Sequence, residues 1–248
     1  MSMKYDTLGR IAGVVLAAGT SSRMGRNKLL LTVGGISLLR RAVAAAGAGG
    51  LDPVLVVLGY QCERTLPELS GLSCTPILNA EYARGMNGSV RAGISAVPAD
   101  VSAAVVMLAD MPFVSAGMLR ELIDRYRATG ARLVISTYAD VLAPPMLYRR
   151  DLFGELGNSF DGDGAGKRVV KQHRAHAVEV RWPSPALIDL DTPDDWLESR
   201  RSWAQRALLL SQQGTQAPDF SLHSTQDQTV SLREFRGQPV RCFGRCHQ

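Results

Sequence analysis

The chain alternates short apolar runs with segments in which apolar residues recur at helical spacing. Between residues 11 and 130 this alternation repeats several times, which favours βαβ units and a parallel sheet. The runs are almost continuously apolar, as in strands that helices cover on both faces. The predicted strands are residues 11–17, 53–58, 75–78, 103–109, 132–137 and 177–181. The predicted helices are residues 37–46, 61–69, 89–97, 115–128 and 193–210. The pattern predicts a three-layer α/β fold with a mostly parallel sheet.

A change of composition near residue 211 suggests where this domain ends. Residues 212–216 are polar and contain glycine, and Pro218 follows, which is typical of a linker. We therefore predict one domain over residues 1–210. Residues 211–248 form a linker and a tail that is too short to fold independently without a metal, a disulfide or a partner.

Charge and composition exclude several classes of protein. Of the 248 residues, 46% are apolar and 21% are charged, as in ordinary globular proteins. The net charge of +5 divides into +1 for residues 1–199 and +4 for residues 200–248, so the main body lacks the cationic surface of a nucleic-acid-binding protein. There is no apolar run of about 20 residues and no secretory signal, so we expect a cytoplasmic protein that does not enter a membrane. The four cysteines are too scattered for a disulfide framework.

The most informative segment follows the first predicted strand. It runs from Leu16 to Lys28, with small residues at 17–22 that allow backbone N–H groups to approach an anion or a base. Arg23 and Lys28 add two cations suited to phosphate. The spacing excludes a Walker loop, because five residues separate Gly19 from Gly25, and it lacks the three glycines of a dinucleotide fingerprint.

Carboxylates follow two later segments. Asp110 ends a buried strand and therefore faces the same crevice as the first loop, where it would hold Mg²⁺ or cap the next helix. The run from Asp189 to Asp195 is typical of a helix N-terminus.

Two further segments are candidates for contacts with a base, a ribose or a phosphate. Asn79 and Ser89 flank a predicted helix start, where they would contact a base or ribose hydroxyl, or simply cap the helix. Farther on, Gly162, Asp163 and Lys167 lie in a glycine-rich loop whose backbone can approach a ligand closely.

The segment from Leu16 to Lys28, continued by three leucines, resembles the signature of the molybdopterin nucleotidyltransferase family. The likeness is greatest to its cytidylyltransferase-like branch and covers residues 11–199. It implies a Rossmann-like nucleotidyltransferase fold in which Leu16, Ala17, Ala18 and Gly19 belong to the nucleotide-binding loop. The last three of these hold the base through backbone groups.

The same resemblance implies roles for the charged residues. Arg23 would contact the β- and γ-phosphates, and Lys28 the α-phosphate under attack. Asp110 and Asp191 would hold Mg²⁺, with Asp189 as the reserve for the second ligand. Gly162, Asp163 and Lys167 resemble the family's acceptor loop, whereas Asn87 and Gly88 stand where relatives commonly carry serines.

These features together predict an Mg²⁺-dependent enzyme that transfers CMP from CTP to a molybdopterin-type cofactor, releasing pyrophosphate. A molybdenum hydroxylase would receive the product. The alternatives are a sugar- or alditol-phosphate nucleotidyltransferase, an NADPH-dependent reductase, and a non-catalytic carrier of the molybdenum cofactor. Residues 214–240 resemble the opening of a peroxiredoxin, but neither Cys242 nor Cys246 lies at the distance of that family's catalytic cysteine. We therefore expect a truncated tail without peroxidase activity.

Overall fold

The computed structural model describes residues 9–21, 24–33, 35–158, 164–187, 221–223 and 229–231. Its main sheet has the strand order β10-β7-β9-β6-β1-β4-β5, and β8 pairs with β7. All neighbouring strands on the main path are parallel except for the two pairs that β9 makes. The mostly parallel sheet predicted from the apolar pattern is therefore confirmed. The strands are β1 Arg10–Ala17, β2 Thr32–Val33, β3 Ile36–Ser37, β4 Val54–Leu58, β5 Thr75–Leu78, β6 Val101–Leu108, β7 Leu133–Tyr138, β8 Val141–Leu142, β9 Met146–Arg149, β10 Val178–Trp182, β11 Ser221–His223 and β12 Thr229–Ser231.

Helices cover both faces of this sheet, as the continuously apolar strands predict. The α-helices are α1 Leu38–Ala48, α2 Cys62–Thr65, α3 Met86–Ser95, α4 Ala116–Thr129, α5 Phe153–Gly157 and α6 Ala165–His173. Helices α1 and α4 pack into the core on one face, and α3, α5 and α6 pack into the core on the other. Ser37 and Ser115 begin α1 and α4 by accepting backbone hydrogen bonds in the first turn. The three-layer architecture follows.

The reversed strand β9 is absent from the sequence-based prediction. It directly follows Pro144 and Pro145, and two consecutive prolines are more typical of a loop than of a strand inside a sheet. Tertiary contacts position it instead: the Tyr138 hydroxyl donates to the Pro144 carbonyl at 2.9 Å, and the Ser136 hydroxyl donates to the Pro145 carbonyl at 2.5 Å. These bonds direct the chain back between β6 and β7.

Two predicted helices also differ from the structure. The predicted helix 61–69 is a single α-helical turn, α2, followed by a 3-10 helix at Leu66–Leu69, because Pro67 lacks the N–H that an α-helix needs. Helix α3 begins three residues before the predicted start, directly after Gly85, whose φ of 107° favours glycine.

Helix α3 lies unusually close to the sheet at Gly93. A Cβ atom there would overlap Val14 Cγ1 and lie 3.0 Å from Val57 Cγ2. The missing side chain lets the helix backbone rest directly on β1 and β4.

The amino ends of three strands are joined by one arginine. Arg10, the first residue of β1, bonds Asp52 just before β4 at 3.1 Å and Asp100 just before β6 at 2.9 Å. This cluster closes the edge of the sheet opposite the carboxyl ends.

A second ion cluster attaches β9 to the start of β7. Asp151 accepts hydrogen bonds from Arg149 at 2.9 Å and from Arg132 at 2.6 Å. The hydrogen-bonded Arg149 guanidinium, helped by Arg132, lowers the pKa of Asp151 to about 2.

The tail lies almost entirely outside the described residues. Only β11 and β12 are described, and they form a small antiparallel pair. The predicted helix 193–210 and the peroxiredoxin-like segment fall mostly outside, so the boundary at residue 210 stays a prediction. Within the described ranges, no helix is both long and apolar enough to cross a membrane.

Replacing Gly93 by alanine should destabilise the fold, because the new methyl group must displace β1 and β4 side chains. Overpacking of this kind costs about 1–3 kcal/mol. Gly47→Ala in α1 is the matched control: within the part of the chain that the structure describes, its Cβ would meet no atom within 4 Å. The control should gain about 0.5–1 kcal/mol from the better helix former. Urea unfolding measures the free energy of unfolding of both variants. Equal changes in this free energy for Gly93→Ala and Gly47→Ala would contradict the packing explanation.

Stability should also depend on pH through Asp151. Its folded pKa of about 2 lies below the usual value of 3.8, so the ionised form stabilises the fold at neutral pH. This stabilisation is complete above about pH 4 and disappears as the pH falls through about 2. Asp151→Asn should therefore lower Tm at pH 7, and the difference from wild type should vanish near pH 2.

Thermal unfolding followed by circular dichroism across this pH range measures the effect. Asp124→Asn removes an exposed carboxylate of α4 for which the described residues contain no ion pair, and it serves as the control. If the Tm of Asp151→Asn stayed below that of wild type by the same amount below pH 2, the charge of the carboxylate would not be what stabilises the contact between β9 and the start of β7.

Candidate active site

The candidate site lies at the edge formed by the carboxyl ends of β6, β1, β4 and β5. The chain leaves β1 toward β4 and β5, then crosses back to β6 on the other side of β1. The sheet order therefore reverses between β1 and β6, and ligands of open α/β sheets bind in the crevice at such a switch point. The first predicted loop follows β1 and Asp110 follows β6, so both adjoin this point.

Lys28 and Asp110 meet across the switch point. Lys28 Nζ lies 2.6 Å from Asp110 Oδ2, and the two side chains are only 12% and 15% exposed. Lys28 begins a 3-10 helix, Lys28–Leu30, and Asn27 caps it by accepting a bond from the Leu29 N–H. The Lys28 N–H also donates to Ser21 Oγ at 3.2 Å, so the loop closes on itself and directs the ammonium group toward Asp110.

Asp110 has one oxygen that the ammonium group does not satisfy. Its Oδ1 is buried and has no hydrogen-bond partner among the described residues. A buried carboxylate oxygen left this way is costly unless a cation or a donor reaches it. The helix-cap alternative does not apply, because Ser115 occupies the N-cap of α4.

This donor set fits a hard divalent cation only in part. A carboxylate oxygen is the ligand that Mg²⁺ prefers, and Mg²⁺ usually combines one or two carboxylates with substrate phosphates and water. Within the described ranges there is no group of three or more His, Cys, Asp or Glu side chains suited to a metal. Asp110 therefore fits a site that a bound nucleotide completes.

The loop after β1 is open at its tip. Leu16 and Ala17 still belong to the strand, where they pair with Val57 and Leu58, and their side chains are buried. Beyond them, a Cβ at Gly19 would meet no atom of the described residues within 4 Å. Of the four predicted loop residues, Gly19 therefore has the most open surroundings.

Asn79 and Ser89 are brought together and buried. Asn79 Nδ2 donates to Ser89 Oγ at 3.0 Å, while Asn79 Oδ1 accepts from the Glu81 N–H at 3.0 Å. Ser89 lies inside α3, whose N-cap is Gly85, so the capping alternative does not apply. These bonds shape the β5–α3 connection beside the crevice, and contact with a base or ribose stays a prediction.

Two tyrosines missed by the sequence analysis stand on the β4 and β5 side of the loop. Tyr60 follows β4 and Tyr82 follows β5, both are half-buried, and their ring centroids are 6.3 Å apart at 57°. The available signal was their position just after the carboxyl ends of two parallel strands.

Several predicted site residues cannot be placed. Arg23, Gly162, Asp163, Asp191 and the reserve ligand Asp189 lie outside the described residues.

Lys167 is exposed in the first turn of α6. Because α6 precedes β10, which runs parallel to β7, its first turn lies toward the carboxyl edge. Its role at the acceptor stays a prediction.

Two curated proteins are similar to this chain in sequence. The purine catabolism protein PucB of Bacillus subtilis is 30% identical over 207 residues, covering 77% of this chain and 97% of its own length. The bifunctional protein GlmU of Mycobacterium marinum is 36% identical over 160 residues, covering 61% of this chain. The chain spans only 31% of that protein, so just a part of it is compared.

Solved structures share the fold. Rv0371c of Mycobacterium tuberculosis superimposes with a TM-score of 0.70 at 28% identity, covering 79% of this chain and all of its own. A second structure of Rv0371c, described as a complex with manganese, has a TM-score of 0.64 at 28% identity, with 78% of this chain and 99% of its own covered.

A family model described as the MobA-like NTP transferase domain matches residues 13–178. This range contains the first loop, Lys28, Asp110 and both tyrosines. The match extends over more than half of the chain, and divalent metals are common in this family. The chain therefore belongs to the MobA-like NTP transferase domain family.

Proposed function

We propose that the protein transfers CMP from CTP to the phosphate of a molybdopterin-type cofactor, with Mg²⁺ and with release of pyrophosphate. The observation that carries this proposal is the 2.6 Å contact of Lys28 with Asp110 at the switch point of the sheet. One cation and one carboxylate with a spare buried oxygen are what a nucleoside triphosphate and its metal require.

In this reaction a phosphate oxygen of the acceptor attacks the α-phosphorus of CTP in line with the leaving group. A new bond forms between this oxygen and the α-phosphorus. The bond between the α-phosphorus and the oxygen that bridges it to the β-phosphate breaks, and pyrophosphate leaves with the electron pair of that bond. The protein supplies no nucleophile, so its contribution is positioning and neutralisation of charge.

Lys28 holds its ammonium group where negative charge develops on the α-phosphate. Asp110 fixes the position of that ammonium group through the ion pair. The open backbone at Gly19, together with Ala17 and Ala18, binds the nucleotide, and Arg23 contacts its β- and γ-phosphates. Arg23 takes this role from the family resemblance alone.

Asp110 Oδ1 would hold Mg²⁺, with Asp191 as the second ligand. When bound, the metal would polarise the phosphates and neutralise the charge of the leaving pyrophosphate. The manganese complex of the structurally similar Rv0371c supports a divalent ion at this fold.

The acceptor is supported by the resemblance of the Gly162, Asp163 and Lys167 loop to the family pattern. A sugar- or alditol-phosphate is the second candidate acceptor, because such a nucleotidyltransferase would share the first loop, Lys28 and Asp110. Both reactions would use the same nucleotide site, so they would differ only in the residues that bind the acceptor.

Lys28→Ala and Asp110→Asn should each reduce kcat severely. Loss of one preorganised charge-stabilising group costs roughly 10²–10³-fold in rate. Asp110→Asn should also weaken binding of Mn²⁺ in the presence of CTP, which electron paramagnetic resonance measures without turnover. Pyrophosphate release gives the rates.

Arg26→Ala is the matched control, since it removes an exposed positive charge from the same loop. It should retain near-normal rates, and melting temperatures should show that the variants are folded. A folded Lys28→Ala or Asp110→Asn enzyme with near-normal kcat would remove that residue from the mechanism.

A substrate panel tests the specificity. With Mg²⁺, we expect pyrophosphate release to be greatest for CTP among CTP, GTP, ATP and UTP, and to require molybdopterin. Release with a sugar or alditol phosphate instead would select the second candidate. Oxidation of NADPH, or cofactor binding without pyrophosphate, would overturn the proposal in favour of a reductase or a carrier.

A further inference from the structure

Tyr60 and Tyr82, called here the tyrosine pair, lie beside the loop that follows β1. The Tyr60 N–H donates to the Ala18 carbonyl at 3.4 Å, which attaches the end of β4 to the loop after β1. The Tyr60 carbonyl accepts from Asn27 Nδ2 at 3.4 Å. Because Asn27 also caps the helix that begins at Lys28, one buried amide joins Tyr60 to the segment that holds the ammonium group.

Gly59 sets the spacing between Tyr82 and the loop. A Cβ atom at this position would lie 2.6 Å from Tyr82 Cβ, 2.8 Å from Ala18 Cβ and 2.9 Å from the Ala18 carbonyl oxygen. Only a residue without a side chain lets Tyr82 pack this closely beside Ala18. The second tyrosine is therefore held against the same loop residue as the first.

The two rings are held in place but remain partly exposed. Their separation of 6.3 Å and tilt of 57° fall within the range of attractive aromatic pairs. Tyr82 also packs against the core beneath α3, while neither ring is fully buried. Partly exposed aromatic rings beside a crevice can offer a flat face on which another ring stacks.

We propose that the Tyr60–Tyr82 pair is the stacking surface for the nucleobase of the triphosphate. This inference rests on the proposed function and adds to it the side of the site on which the base lies. The pair would stack on the face of the base, whose edge the backbone of the first loop contacts, whereas Lys28 binds the phosphates. The affinity for the nucleotide would therefore depend on a planar ring.

The position of the pair favours the base over the acceptor. Lys28 meets Asp110 on the β6 side of β1, whereas both tyrosines stand on the β4 and β5 side. These strands lie one and two spacings from β1, which is about 5–10 Å. A nucleotide lying across the end of β1 would place its α-phosphate at Lys28 and its base beside the tyrosines.

The experiment measures binding of three probes with Mg²⁺ by calorimetry: CTP, GTP and inorganic tripolyphosphate. The proteins are wild type, Tyr82→Ala, Tyr82→Phe, Tyr60→Ala and Tyr60→Phe. Leu66→Ala, which truncates a half-exposed apolar side chain in the next helical segment, is the control. Melting temperatures are recorded for every variant.

Each alanine variant should weaken CTP binding by roughly ten-fold, since one aromatic–base stack is typically worth that much. Tripolyphosphate binding should not change, because that probe carries no ring. The phenylalanine variants should restore most of the lost affinity, and KM for CTP should rise in the alanine variants with little change in kcat.

Equal losses for CTP and tripolyphosphate would overturn the proposal, because they would mean a general disturbance of the loop. A rise in KM for the acceptor alone would also overturn it and assign the pair to the acceptor ring. Since calorimetry needs no turnover, a ring-dependent loss of CTP affinity without pyrophosphate release would refute the proposed function and leave the stacking surface standing.

Discussion

The position of β1 in the middle of the sheet is the constraint on which the site depends. β1 forms parallel hydrogen-bond ladders with β4 on one side and β6 on the other, so the segments that leave these three strands share one edge. The ladder continues past the strands through the bond from the Ala109 N–H to the Leu16 carbonyl, which brings Asp110 beside the first loop. Lys28 and Asp110 are 82 residues apart in sequence, yet this pairing leaves them in direct contact.

The ion pair itself is partly withdrawn from water. Two charges at this depth stabilise each other only when their remaining hydrogen-bonding atoms are also satisfied. The spare Asp110 oxygen means that the described residues alone leave the arrangement incomplete. A cation that binds together with a triphosphate would satisfy this oxygen. Binding of the phosphates would thereby remove the cost of leaving the buried oxygen without a partner.

Some of this could be predicted from the sequence for clear physical reasons. The runs that became β1, β4 and β6 are apolar on both faces, so their burial and the location of the following loops were predictable. Strand β9 was not, because the two prolines before it are more typical of a loop and its position depends on distant hydroxyl groups. The hydrogen bond between Asn79 and Ser89 could not be predicted either, since the nine residues between them must fold before the two side chains meet.

The tyrosine pair illustrates a further limit. The positions of Tyr60 and Tyr82 after two predicted strands place them near the crevice, but nothing in the local pattern shows that their rings lie against each other. Their relation to the loop appears only when Gly59 and Ala18 are seen in contact, and that contact joins segments about forty residues apart.

The Arg10 cluster at the amino ends has a consequence for how this scaffold can diversify. Its exposed ion pairs connect the starts of β1, β4 and β6 at the end remote from the chemistry, where the parallel ladders already hold these strands together. Loops at the other end can then change length and composition without the strands spreading apart. New acceptor preferences can therefore arise through the loops while the sheet stays unchanged. Engineering of altered substrates should leave the amino ends of β1, β4 and β6 as they are.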